Sequence, residues 1–92
     1  MAYGFLETTG VVNATCALDL MCKAAEVRFV AWQRRMGGRM VTVIIEGEIS
    51  AVQEALHTAC ANAPQKPAAT GFLANPHPEV LRIIKHMEGS RK

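Results

Sequence analysis

Apolar residues recur at intervals of three and four through Ala14, Ala17, Leu18, Met21, Cys22 and Ala25. That spacing lays one stripe along a helix over residues 11–25. Just before it, the short apolar run 3–8 (YGFLET) reads as a strand, broken by Thr8-Thr9-Gly10, which offers a helix N-cap. Asp19 and Lys23 fall off the stripe as an i, i+4 pair with the acid first, an arrangement that supports a helix slightly. Residues 26–32 alternate, Val27, Phe29 and Ala31 against Arg28, Val30 and Trp32, and predict a second strand. Residues 40–45 (MVTVII) are β-branched on both faces, so this third strand should be covered on both sides, with Gly47 ending it. Ser50-x-x-Gln53 has the form of a capping box, opening a helix with Val52, Ala55, Leu56, Ala59 and Cys60 on one face that stops near Pro64. Residues 64–70 read as a polar loop and 71–74 as a last short strand. Pro76 and Pro78 then start a final helix, with Val80, Leu81, Ile84 and Met87 inward and Glu79 suiting its first turn.

The order β-α-β-β-α-β-α, with one hairpin and two helices on one sheet face, predicts an α+β two-layer domain of the ferredoxin-like, split βαβ kind. It spans residues 2–88, with a flexible tail over 89–92. Ninety-two residues hold one domain, half of them apolar and only 5% aromatic. A domain of this size hides about 60–65% of its unfolded surface when alone, so apolar surface should be left over and buried against further copies of the chain. Ten Lys/Arg against eight Asp/Glu give a formal charge of +2, too mild for a dedicated nucleic-acid binder. No apolar run reaches the roughly 20 residues a bilayer span needs. The start MAYGFLETTG lacks the basic and long apolar regions of a signal peptide, which points to the cytoplasm.

Little in the chain suggests chemistry. Cys16, Cys22 and Cys60 are odd in number and without zinc spacing. On one helix Cys16 and Cys22 point about 120° apart, and all three read as small buried hydrophobes. His57, His77 and His86 offer no i, i+4 metal pair, and His77 sits between prolines in a rigid turn before the last helix. No nucleophile, base and orienting group come together. The expectation is a protein that is not an enzyme and uses no cofactor and no metal.

One segment stands apart. In Arg34-Arg35-Met36-Gly37-Gly38-Arg39, three of the ten basic residues flank a Gly-Gly pair. Such a pair lets the backbone turn successive N–H groups outward as a nest for anions. Three further pieces stand in order around it. They are Tyr3-Gly4-Phe5-Leu6-Glu7-Thr8-Thr9-Gly10 (form GxxExxG), Asp19-Leu20-Met21-Cys22-Lys23-Ala24-Ala25 (form DxMxKxA) and Met40 to Val52 with its VTVII strand and Gly-Glu-Ile-Ser-Ala-Val helix entry. With Pro76-His77 after the last strand, the chain resembles the single-domain shell proteins of bacterial microcompartments over residues 2 to about 88.

That resemblance implies a structural role. Such proteins form flat cyclic hexamers that tile into a polyhedral shell in the cytoplasm, around a set of enzymes and beside other shell proteins. Small metabolites cross a narrow axial pore. By position, Arg35, Met36, Gly37, Gly38 and Arg39 would line the pore, while Lys23, Asn75 and His77 would lie at the edge between hexamers. Two arginines from each of six loops would favour anionic solutes. Two departures are visible. Asn75 stands where the family often has an arginine that reaches into the neighbouring hexamer. The stretch between Val30 and Gly37 is one residue longer than is usual in the family, which should produce a bulge and shift the pore side chains. The Gly-Gly-Arg and Asn-Pro-His-Pro-Glu pattern looks closer to glycyl-radical or choline/propanediol compartments than to carboxysomes.

Two other classes of function fit less well. A small ligand-binding or regulatory module would use the arginine loop to hold a phosphate. A nucleic-acid binder on such a sheet would need stacking aromatics, and the chain has one Trp and one Tyr.

Overall fold

The computed structural model describes residues 1–35 and 39–89. The elements run β1 (Ala2–Thr9), α1 (Val11–Ala24), β2 (Val27–Arg35), β3 (Met40–Gly47), α2 (Ile49–Asn62), β4 (Ala69–Ala74) and α3 (Pro78–Gly89). This is the order expected from the hydrophobic pattern. The strands form one antiparallel sheet in the order β2-β3-β1-β4. The two βαβ crossovers therefore each skip a strand, and α1 and α2 pack into one core on the same sheet face.

β3 is apolar on both faces because both are covered. Val41, Val43 and Ile45 lie in the main core with Ala2 and Leu6 of β1, Ala14, Ala17 and Met21 of α1, and Val52, Ala55, Leu56 and Ala59 of α2. On the other face Ile44 packs with Tyr3, Val30, Ala31 and Ile84 of α3, flanked by Phe5, Leu81 and Met87. The third helix thus adds a cover to the side that the two crossover helices leave open. At Gly4, α2 packs tightly on the sheet. A Cβ there would stand 2.8 Å from Val52 Cγ1 and 3.2 Å from Leu56 Cδ1.

Five local expectations are corrected. The Ser50-x-x-Gln53 capping box does not form: α2 starts two residues earlier, Glu48 is its N-cap, and no side chain caps it. α1 likewise has no side-chain cap, because Gly10 rather than Thr8 or Thr9 occupies that position. β2 does not alternate throughout: its pairing with β3 shifts between Phe29 and Ala31. This bulge puts Val30 and Ala31 together on the α3 side. It returns Trp32 to the face of Phe29, where the two rings meet edge to face at 6.2 Å. The bulge expected in this stretch is therefore real and sits at its first residue. The cysteines are not buried: Cys22 and Cys60 are exposed and Cys16 is half-buried. Each lies at the margin of its helical stripe, where α1 and α2 turn toward solvent. Residue 89, expected in the tail, closes α3, and the rest of that tail lies outside the described residues.

The domain measures 34 × 30 × 19 Å, a slab rather than a sphere. Large apolar side chains remain on its surface, among them Val12 (76% exposed), Ile83 (55%) and Ile49.

Candidate functional site

The β2–β3 turn is built by a hairpin whose two strands pair to its base. Arg35 pairs with Met40, Arg34 with Val41 and Gln33 with Thr42. Of the proposed axial residues, Met36, Gly37 and Gly38 lie outside the described residues. Arg35 ends β2, and Arg39 follows the turn with an exposed side chain. The bulge at Val30 places Arg34 on the same sheet face as Trp32, and its side chain is exposed.

The far side of the turn is anchored to the β1–α1 corner. The β1–β3 ladder pairs Thr9 with Met40 and then runs one step beyond the strands, where the Gly10 N–H donates to the Arg39 carbonyl at 2.6 Å. Asn13 Nδ2 donates to the Thr9 carbonyl (2.8 Å) and to Gln65 Oε1 (3.0 Å), tying in the loop that precedes β4. No acidic residue occupies the first turn of α1, so the positive end of this helix stands uncompensated by its own side chains.

The residues expected at the edge lie elsewhere on the domain, each with a local role. Lys23 Nζ pairs with Asp19 at 3.0 Å, both well exposed, as their spacing predicts. Asn75 adopts a left-handed conformation at φ 51°. Its Oδ1 accepts from the Met1 amine at 3.0 Å and its N–H donates to the Met1 carbonyl at 3.1 Å, so it pins the start of β1 to the end of β4. His77 caps α3: its Nδ1 accepts from the Glu79 N–H at 3.1 Å and its carbonyl from the Leu81 N–H at 2.9 Å.

One polar cluster escaped the sequence reading. Arg28 and Glu46 are cross-strand partners, and Glu46 is also opposite Tyr3. Arg28 pairs with the nearly buried Glu46 and, at 3.1 Å, with Glu88 from the last turn of α3. The hydrogen bonds to Glu46 and Glu88 push Arg28 further from deprotonation. Burial, then the neighbouring Glu46, raises the Tyr3 phenol above its ordinary value of 10.0. A phenol whose pKa is raised on folding binds its proton more tightly in the native state, so its contribution to stability is complete below that value and is lost as pH rises through the folded one. Urea midpoints measured from pH 8 to 12 should fall above pH 10 more steeply for the native chain than for Tyr3→Phe. Parallel curves would show that Tyr3 is not the group responsible.

Among the described residues no group of three or more His, Cys, Asp and Glu could hold a metal ion, and no helix is long and apolar enough to cross a membrane. The described surface offers shallow features instead. A groove of about 510 Å³ runs between α1 and the end of α2, past Cys16, Asp19 and Pro64. A hollow of about 250 Å³ lies on the sheet face beyond α3, over Phe5, Glu7, Thr42 and Gly71.

Comparison with known proteins agrees with the fold and with the resemblance. A family model described as the BMC domain matches residues 2–78. Carboxysome shell protein CsoS1A of Hydrogenovibrio crunogenus is 42% identical over 87 residues, covering 91% of this chain and 90% of that one. Major carboxysome shell protein CsoS1A of Halothiobacillus neapolitanus is 41% identical over 87 residues, covering 91% and 88%. A crystal structure of a microcompartment protein from Desulfitobacterium hafniense superposes with a TM-score of 0.77 at 27% identity, covering 92% of this chain and 47% of that longer one. The motifs, the sheet order and this end-to-end similarity make the chain a member of the BMC domain family.

Proposed function

We propose that the protein is a structural tile of a bacterial microcompartment shell in the cytoplasm, acting by self-assembly rather than by catalysis. The observation that carries this reading is that the similarity to shell proteins runs almost the whole length of both chains. A flat slab with unburied apolar side chains suits a unit completed by its own copies. The two shell proteins of 41–42% identity are named as carboxysome proteins, which favours a carboxysome-type shell over the glycyl-radical or choline/propanediol type that the loop pattern suggested.

In this reading six copies close a ring, the turn between β2 and β3 faces the axis, and Lys23, Asn75 and His77 lie toward the neighbouring ring. The ring would share its lattice with other shell proteins and enclose enzymes. Asn75 is occupied with the Met1 backbone and lacks the reach and fixed donors of an arginine, so edge contacts would rest more on Lys23 and its surroundings. Electron micrographs of the purified protein should show rings, flat lattices or tubes. A particle that stays a monomer or dimer at high concentration contradicts the reading.

The exposed Arg39 gives the passage its sign. Converging positive side chains raise the local concentration of anions. Reversal potentials across bilayers carrying the assembled protein should show anion preference, and Arg39→Glu should abolish or invert it. An unchanged preference would count against a pore lined by this residue.

A further inference from the structure

We propose that Gly10 is a positioning residue for Arg39, setting where that arginine stands at the mouth of the passage. The inference rests on the pore reading above and deepens it.

Gly10 is engaged through both of its peptide groups. Its N–H donates to the Arg39 carbonyl at 2.6 Å, and its carbonyl accepts from the Ala14 N–H at 3.1 Å, the first bond of α1. The angle between those two peptide planes is set by φ 85° and ψ 151°. This is a region that only glycine occupies without strain. An L-residue relaxes to negative φ and must give up one bond or the other: the tether to the turn, or the start of the helix. Space is not the reason for glycine, since a Cβ at Gly10 would meet nothing within 4 Å. The restriction is purely conformational.

The neighbouring bonds make Gly10 the point through which the corner acts on the turn. Asn13 and Gln65 brace the Thr9 carbonyl side, and the main-chain ladder from β1 ends on the Arg39 carbonyl. The backbone of Arg39 is thus hung from a rigid helix–strand corner, while its side chain stays exposed. The same corner presents the free N–H groups of α1 with no acid in its first turn, so the tether also holds the arginine beside the positive end of a helix dipole.

The test uses the full chain, assembled by ligation at Cys16 so that residues 1–15 are synthetic. Four forms are compared with the native chain: Gly10→Ala, d-alanine at Gly10, an ester replacing the Thr9–Gly10 peptide bond, and Arg39→Gln. d-Alanine accepts positive φ and should behave as native. The ester deletes the Gly10 N–H donor and also weakens the Thr9 carbonyl as acceptor for Asn13. Gly10→Ala should assemble into the same arrays yet lose roughly half or more of the anion preference that Arg39→Gln removes. The ester should do the same, and it keeps the proposal open to refutation if the alanine form fails to fold. Exchange of the residue-10 amide should rise about tenfold in Gly10→Ala and stay native with d-alanine. If Arg39→Gln lowers the preference while Gly10→Ala and the ester leave it native, the positioning role is overturned and the pore reading stands. If Arg39→Gln itself changes nothing, the pore reading is overturned, and with it the functional part of this proposal. Equal losses with d-alanine and L-alanine would also overturn it.

Discussion

Gly4→Val is expected to lower the melting temperature by about 20 °C or more. The added Cβ alone would stand 2.8 Å from Val52 Cγ1, and Ile45 and Leu56 close the other sides at 3.2 Å. All three neighbours are buried, so none can swing into solvent. α2 would have to lift off β1, opening the core that Leu6, Val52, Ala55 and Leu56 share. Overpacking by one methyl costs about 1–3 kcal/mol, and the two further methyls of valine bring the cost to about 4 kcal/mol or more. A domain of this size has only about 5–14 kcal/mol in total. Gly4→Ala should be the graded case, folded but melting about 10 °C lower. Thermal melts followed by circular dichroism decide it: a Gly4→Val protein melting within a few degrees of native would mean that α2 yields freely at this contact.

Arg28→Ala should be the second most damaging change. It strips the counter-charge from Glu46, whose side chain is only 11% exposed, and unties Glu88 and the last turn of α3. Breaking a fully buried pair costs about 3–5 kcal/mol. Arg28 is half in solvent, at 54%, and screening reduces the loss to about 2 kcal/mol, or about 10 °C in melting temperature. Adding Glu46→Gln to Arg28→Ala should recover part of it, because the stranded charge is then gone. Amide exchange should localise the effect: α3 should open well before β1 and β3. If the single and double variants melt alike, the charge on Glu46 is not what Arg28 compensates.

The elements were legible because each has a clear period. The Ala14, Ala17 and Met21 part of the α1 stripe, the β-branched run 40–45 and the Pro78 helix start reappear in the structure. What escaped depends on contacts between distant residues. Nothing in the spacing of Tyr3, Arg28, Glu46 and Glu88 tells that they converge, since strand register brings the first three together and α3 delivers the fourth. The capping box fails because α2 begins at Ile49, with only Glu48 between it and β3, leaving Ser50 already inside the helix. The cysteines were misplaced because an apolar stripe has margins, and sequence does not say how far a neighbouring element covers them. The turn between β2 and β3, where the proposed passage would lie, is marked in the sequence by its glycines and arginines. The Gly10–Arg39 bond that holds it joins residues 29 apart and carries no local signature.

The register shift at Val30 has a consequence beyond its own packing. Because successive side chains on a strand point to opposite sides, one inserted residue reverses everything downstream of it. It decides which sheet face carries Trp32, Gln33 and Arg34. A lineage could therefore re-aim the approach to this turn by gaining or losing a single codon six or more positions upstream, with every arginine left untouched. In the proposed ring, swapping charges at this turn and counting residues in the stem would be two independent dials on the same passage.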